Sequence, residues 1–189
     1  QTGLTFGAYQ ATIIDDNGCE FDVSFDIGEP DALTASVIPT DVLCNGGDTG
    51  YGSYTIAGGT PPYTIEGVEV SADYVQTGLT FGAYQATIID DNGCEFDVSF
   101  DIGEPDALTA SVIPTDVLCN GGNTGYGSYT ITGGTPPYTI DGVEVPADYV
   151  QENLVADTYD ITIIDANGCE FDVSFNIGEP HALTASVIP

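Results

Sequence analysis

The sequence predicts an all-β chain of tandem antiparallel sandwiches, and three observations carry that expectation. The chain repeats every 75 residues, its apolar residues alternate with a period of two, and glycine and proline punctuate it too densely for long helices. The segment beginning Gln1-Thr2-Gly3-Leu4 returns at Gln76 (76 − 1 = 75) and, more divergent, at Gln151 (151 − 76 = 75). Between the first two copies only four residues change: Asp48 becomes Asn123, Ala57 becomes Thr132, Glu66 becomes Asp141 and Ser71 becomes Pro146. Interchangeable units point to a polymer whose product is length or multivalency, because an enzyme needs one singular site.

The strand elements follow in order of clarity. In Cys94-Glu95-Phe96-Asp97-Val98-Ser99-Phe100-Asp101-Ile102 the apolar side chains alternate with polar ones, the mark of a strand with one buried face. Tyr84 to Ile89 precedes it, and Asp91-Asn92-Gly93 supplies the residues that a tight turn between antiparallel strands requires. Further strands are expected at Leu108 to Val112, at Gly127 to Ile131, and at Tyr138 to Ile140, which turns at Asp141-Gly142 into Val143 to Val145. A last one runs from about Tyr149 to Leu154. Pro61-Pro62 and Pro136-Pro137 are expected to enter an edge strand, since proline cannot donate to a ladder. Gly82-Ala83-Tyr84 and Gly7-Ala8-Tyr9 resemble the tyrosine corner of immunoglobulin-like sandwiches, which makes tandem immunoglobulin-like domains in a rod the expected architecture.

Gly-Glu-Pro recurs at Gly28, Gly103 and Gly178, directly after the alternating strand, and offers a proline-stiffened junction. Two complete domains are therefore expected at 31–105 and 106–180. The C-terminal part of another repeat, 1–30, precedes them, and the first strand of a further one, 181–189, follows. The ends are expected to be cut from something longer.

Thirty acidic residues, no Lys, no Arg and one His give a formal charge of −30. Nucleic acid and anionic membrane faces are bound through Lys and Arg, so both are excluded as partners. No stretch approaches the roughly 18 apolar residues of a membrane span, which excludes direct insertion by a helix. Hydrophobic residues make up 42% of the chain, enough for it to fold rather than stay disordered. With no cation to offset the carboxylates, stability leans on salt or divalent ions, and a saline, calcium-containing exterior is the natural setting. The absence of Lys also excludes Lys-to-Asn isopeptide cross-links and leaves disulfides as the covalent reinforcement.

Five cysteines, Cys19, Cys44, Cys94, Cys119 and Cys169, become two per complete domain once the register is applied. The expected pairs are Cys44 with Cys94 and Cys119 with Cys169, leaving Cys19 to a residue outside the fragment. The alternative joins Cys19 to Cys44 and Cys94 to Cys119 across the junctions. In an up-and-down sandwich the second strand is taken to start at the same end as the last, which would bring Cys44 within the roughly 7 Å of Cys94 that a disulfide needs. The cross-junction pairs would instead lie about 50–60 Å apart.

The motif set Thr115-Asp116-Val117-Leu118-Cys119-Asn120-Gly121-Gly122, Gly133-Gly134-Thr135-Pro136-Pro137-Tyr138, Leu154, Tyr159, Asp165-Ala166-Asn167-Gly168-Cys169 and Ile177-Gly178-Glu179-Pro180 resembles the SprB repeat of large surface proteins from gliding and related Bacteroidota. The resemblance covers essentially the whole unit. It implies an exported cell-surface filament or adhesin of many tandem sandwiches, with gliding motility and type IX secretion as the associated biology. The missing Lys and Arg depart from that pattern.

Catalysis has little to work with. His181 occupies a slot filled by Asp31 and Asp106 in the sister copies, and Glu95 and Asp97 share one solvated strand face. No cofactor is required. Calcium is the one candidate ion, with Asp101, Glu104, Asp106 and Asp116 as junction ligands and Asp90, Asp91 and Asn92 as hairpin ligands, because carboxylate oxygens suit a hard cation. Tyr51, Tyr54, Tyr126 and Tyr129 flank a glycine-rich strand, where an aromatic platform for sugars or neighbouring filaments and core packing with sheet propensity explain them equally well. The expected product is a non-catalytic structural segment whose partners are other copies of the same protein. Its alternatives are an adhesive module binding surface polysaccharide or substratum, and the inert stalk of a larger exported enzyme.

Overall fold

The computed structural model describes residues 2–188, so the outermost positions of the expected end segments, Gln1 and Pro189, lie outside the described residues. Sixteen strands follow one another: β1 Gly7–Ile14, β2 Glu20–Ile27, β3 Thr34–Thr40, β4 Gly50–Ala57, β5 Tyr63–Ile65, β6 Val68–Val70, β7 Asp73–Leu79, β8 Gly82–Ile89 and β9 Glu95–Ile102, then β10 Thr109–Thr115, β11 Gly125–Thr132, β12 Tyr138–Ile140, β13 Val143–Val145, β14 Asp148–Leu154, β15 Asp157–Ile164 and β16 Glu170–Ile177. No helix among the described residues is long and apolar enough to cross a membrane.

Strands β10–β16 form a three-stranded sheet, β10-β11-β14, and a four-stranded sheet, β13-β12-β15-β16. Strands β3–β9 repeat the order, as β3-β4-β7 and β6-β5-β8-β9. In both, three strands of one sheet and four of the other alternate along the chain as they do in immunoglobulin-like sandwiches. By proximity of Cα atoms the chain forms two compact units. One comprises the residues up to Val37, Ser53–Tyr74 and Gln85–Ser99; the other comprises Ile38–Gly52, Val75–Tyr84 and the residues from Phe100 onward.

The second unit holds β10–β16 whole, and its core shows why these residues form strands. Along β11, Gly125, Gly127, Tyr129 and Ile131 point inward while Tyr126, Thr130 and Thr132 face out. Ile161 and Ile163 of β15, Phe175 and Ile177 of β16, and Leu154, Val145, Ile140 and Tyr138 close over them, with Ile163 fully buried. Phe175 stacks on Tyr159 at 5.3 Å between ring centroids and meets Tyr129 edge-on at 5.9 Å. Gly127 has no side chain because the Phe175 ring already occupies that space: a Cβ there would lie 3.1 Å from Cζ. The β15–β16 ladder is unbroken from Asp157↔Ile177 to Ile164↔Glu170, which aligns the inward residues of both strands.

The tyrosine corner forms as expected. Tyr159 Oη donates to Val155 O and accepts from Val155 N, each at 3.1 Å, and Tyr84 and Tyr9 make the same pair of bonds to Thr80 and Thr5. Pro136-Pro137 does not enter an edge. These prolines lie just before β12, which has β13 on one side and β15 on the other, so β13 is the edge. Sitting outside the ladder, neither proline is asked for an N–H.

The first unit holds β1, β2, β5 and β6 whole. Strands β1 and β2 pair in register from Gly7↔Ile27 to Ile14↔Glu20 as a two-stranded sheet. Ile13, the counterpart of the fully buried Ile88 and Ile163, is 60% exposed there. The strand expected at 181–189 is not formed over 181–188. Its copies, β3 and β10, each pair with the strand that follows.

Candidate functional site

The loop between β3 and β4 is clipped onto the Gly-Glu-Pro segment that follows β9, and all the residues concerned belong to the second unit. Asp41 Oδ1 accepts from Gly103 N at 2.7 Å, and Val42 N donates to Gly103 O at 3.1 Å. Gly46 N donates to Glu104 Oε2 at 2.8 Å, and Asn45 Nδ2 donates to Pro105 O at 3.1 Å. Internally Leu43 N is held by Thr49 Oγ1 at 2.8 Å. The loop between β10 and β11 repeats each bond 75 residues on, with Asp116 on Gly178, Gly121 on Glu179 and Asn120 on Pro180.

The turn joining β15 to β16 is organised by Asp165, a carboxylate only 5% exposed. Its Oδ1 accepts from Asn167 N and Cys169 N at 2.8 and 2.9 Å, and its Oδ2 accepts from Thr135 N at 2.8 Å. Three amide donors satisfy a charge that would otherwise be costly to bury. They also tie the turn to the Gly133-Gly134-Thr135 bend, where Gly133 sits at φ 71° with Ala107 O where a side chain would begin.

These two pieces meet in one covalent bond. Cys44 is joined to Cys169, 125 residues away, with Cα atoms 5.6 Å apart. Beside it Asn167 Nδ2 donates to Leu43 O and to Thr135 Oγ1, both at 3.0 Å, and Cys169 Sγ lies 3.4 Å from Leu43 O. A disulfide sulfur carries no proton, so that last approach is a contact rather than a hydrogen bond. A cleft of about 340 Å³ lined by Cys44, Asn45, Ala107, Leu108, Gly168, Cys169 and Glu170 flanks the bond.

The expected pairs Cys44–Cys94 and Cys119–Cys169 are therefore not formed, nor are the cross-junction pairs Cys19–Cys44 and Cys94–Cys119. Cys19, Cys94 and Cys119 are free and exposed. Strand direction is the reason. Seven alternating strands make the second and the last antiparallel, so the second begins where the last one ends, not where it starts. Cys119 accordingly lies by Gly178, beyond the far end of β16 from Cys169, and nine residues of strand span about 30 Å. No disulfide crosses that distance. An odd–even count of the predicted strands carries this signal in the sequence.

The other candidates are placed as follows. Glu104 and Asp116 are engaged separately, Glu104 by Gly46 N and Asp116 by Gly178 N, so the residue that shares the Glu104 neighbourhood is Asp41. Asp101 is exposed on β9, and Asp106 uses its backbone carbonyl to accept from Gly134 N at 2.8 Å. Asp90 repeats the role of Asp165, with Cys94 N, Asn92 N and Thr60 N as donors, Asn92 Nδ2 rests on Thr60 Oγ1, and Asp91 N donates to Thr60 O. The amide bonds, Cys94 first, hold the Asp90 carboxyl below the usual carboxylate range against the opposing effect of burial. Its charge is the main reason the Cys94 thiol is pushed up. Among the described residues no group of three or more His, Cys, Asp or Glu is gathered to hold a metal ion.

The tyrosines split. Tyr54 and Tyr129 are core residues, 2% exposed, and Tyr129 Oη donates to Gln151 Oε1 at 2.7 Å, its pKa pushed up to about 12 chiefly by burial. Only Tyr51 and Tyr126 face outward, so a four-residue platform does not exist. His181 is exposed outside any strand. Asp97 accepts from Thr87 Oγ1 at 2.6 Å in an open groove of about 580 Å³. Thr162–Asp172 and Thr12–Asp22 repeat that cross-strand pair on exposed sheet faces.

No family model matches the chain, and no curated protein does. Among solved structures it is similar to the fibronectin(III)-like modules of CbhA from Clostridium thermocellum, at 16% identity and a TM-score of 0.31, over 81% of this chain and 100% of that one. The fold class itself follows from the strand order.

Proposed function

We propose that this chain is a structural, non-catalytic repeat segment of a large secreted or cell-surface filament, in which length and resistance to pulling are the product. One observation carries the reading: the Cys44–Cys169 bond joins the β3–β4 loop of one repeat to the β15–β16 turn of the next. A disulfide inside a small domain stabilises that domain, whereas this one fastens one repeat to another, and each set of seven strands has its own pair of sheets. An oxidised cysteine pair also suits an exported protein. The charge of −30 fits a saline exterior, and the near-identity of the repeats favours multiplicity over a singular site. The SprB-like motif set points to the same setting.

Immuno-electron microscopy on intact, unpermeabilised cells of the source organism, with antibody raised against this chain, tests the proposal. Label running along extracellular filaments is expected. Label confined to the cell interior, or to dispersed single molecules, overturns it.

A further inference from the structure

The acids of this chain are not spread evenly over its sandwiches. In the β10–β16 repeat the outer face of the four-stranded sheet carries Asp160 on β15 and Glu170 and Asp172 on β16, all exposed. Strands β10 and β11 of the opposite sheet contain no acidic residue, in a chain where 30 of 189 residues are acidic, and β3 and β4 are likewise free of acids. Their outward side chains are hydroxylic and apolar instead. Ser111 lies opposite Thr130 and Ile113 opposite Ser128, which in turn lies opposite Val150 of β14, with Tyr126 beside that row. Ile113 is 71% exposed and its copy Ile38 70%, and Tyr126 and Val150 are exposed as their copies Tyr51 and Val75 are. Single exposed apolar residues are ordinary on a surface. Here Ile, Tyr and Val recur together at the 75-residue period, on a sheet face without charge on two of its three strands.

We propose that this face is where copies of the chain pack side by side, the outer face of the three-stranded sheet of one copy against the same face of another. The proposal rests on the filament reading and names the surface through which filaments bundle. Charge decides both the partner and the orientation. With no Lys or Arg, a copy offers no cation to the carboxylates of its neighbour, so a close contact between copies has to be made where carboxylates are absent. Packed sheets lie about 10 Å apart. Meeting through the uncharged faces therefore sets the acidic faces of two copies roughly 30 Å apart, well beyond the screening length of about 8 Å at about 0.15 M salt, whereas meeting through the acidic faces sets them roughly 10 Å apart. Asp148 and Glu152 on β14, at one edge of the face, add a constraint. They select the two-fold arrangement that lays β14 of one copy over β10 of the other, because the alternative sets β14 on β14. Three strands of seven or eight residues present roughly 350 Å² per repeat, less than half of the roughly 800 Å² that each partner gives in a stable complex. One repeat therefore binds weakly, and the contact strengthens with the number of repeats that engage.

With the free thiols capped by iodoacetamide, so that no covalent link between copies intervenes, the purified 189-residue chain is sedimented over a concentration series reaching about 1 mM, at about 0.15 M and about 1 M salt. Reversible self-association that strengthens with salt is expected. Ile38→Asp combined with Ile113→Asp weakens it by about tenfold or more, because each change brings an unpaired carboxylate into the contact. Ser99→Asp combined with Ser174→Asp adds the same charge on the acidic faces and leaves it within about twofold. All four positions are exposed, so both double variants keep wild-type circular dichroism. A chain that stays monomeric throughout, or whose association is lost equally in both double variants or survives in the Ile38 and Ile113 variant, overturns the proposal. So does a monomer that co-sediments with microcrystalline cellulose through Ile38 and Ile113, which assigns the face to a neutral polysaccharide. Extracellular filament label with a monomeric chain removes this surface and leaves the filament standing, and association without that label does the reverse.

Discussion

The side-chain amide of Asn167 donates to the carbonyl of Leu43 at 3.0 Å across 124 residues of sequence, directly beside the Cys44–Cys169 bond. That hydrogen bond holds the turn against the loop beside the two sulfurs. Replacing Asn167 with Ala removes about 1 kcal/mol of positioning. The expected outcome is an intact fold in which Cys44–Cys169 closes roughly fivefold more slowly during oxidative refolding, measured by quenching with an alkylating reagent. Equal closure rates would leave the hydrogen bond without a role in assembly.

Pulling the chain from its termini in an optical trap should distinguish its two redox forms. With the disulfide intact, the 125 residues it spans are shielded from force. Reduction is expected to release that hidden contour, about 410–450 Å at roughly 3.3–3.6 Å per residue. An unchanged total extension after reduction would mean that the bond carries no load.

The β10–β16 core should behave as an ordinary close-packed interior. Ile163→Ala, at a position with no exposure, is expected to cost about 2–5 kcal/mol, and Tyr159→Phe about 1–2 kcal/mol through its two bonds to Val155. Gly133→Ala should be about as severe as the Ile163 change, at roughly 3 kcal/mol. It combines a left-handed backbone with a collision against Ala107 O that only backbone movement relieves. Urea denaturation of the three variants checks the order.

Acid should loosen the Asp90 turn. Its folded pKa lies below the unfolded value of about 3.9, so the stabilisation is fully present above that value and is lost as the pH falls through it toward the folded one. Hydrogen exchange at the Thr60, Asn92 and Cys94 amides is expected to accelerate below about pH 4. The same carboxylate suppresses thiolate formation at Cys94. Asp90→Asn, which keeps the Oδ1 acceptor, should therefore speed alkylation of Cys94 at neutral pH, and a slower reaction would contradict the assignment.

What could be read in advance was what is local. Tyr138–Ile140, Asp141-Gly142 and Val143–Val145 form the hairpin expected of them, because a two-residue turn and three residues on each side need no distant partner. The same holds for Asp91-Asn92-Gly93 and for Tyr84 and Tyr159, whose hydroxyls reach back only four residues. Cys44 was misplaced because its partner depends on which end of a sandwich each connection occupies. Core packing and an outward platform stay equally open for Tyr54 and Tyr129 in the sequence for a related reason: an alternating strand shows two faces, and only the opposing sheet decides which is inside. Thr135 gave no signal as the anchor of Asp165, since that pairing joins residues 30 apart.

The 125-residue span of the disulfide exceeds the 75-residue period by 50 (125 − 75 = 50). A single peptide cleavage between Cys44 and Cys169 consequently leaves both fragments attached. Were the bond repeated along an unbroken row, consecutive loops would overlap, and every interior position would fall within at least one of them. No lone protease cut could then sever such a strand.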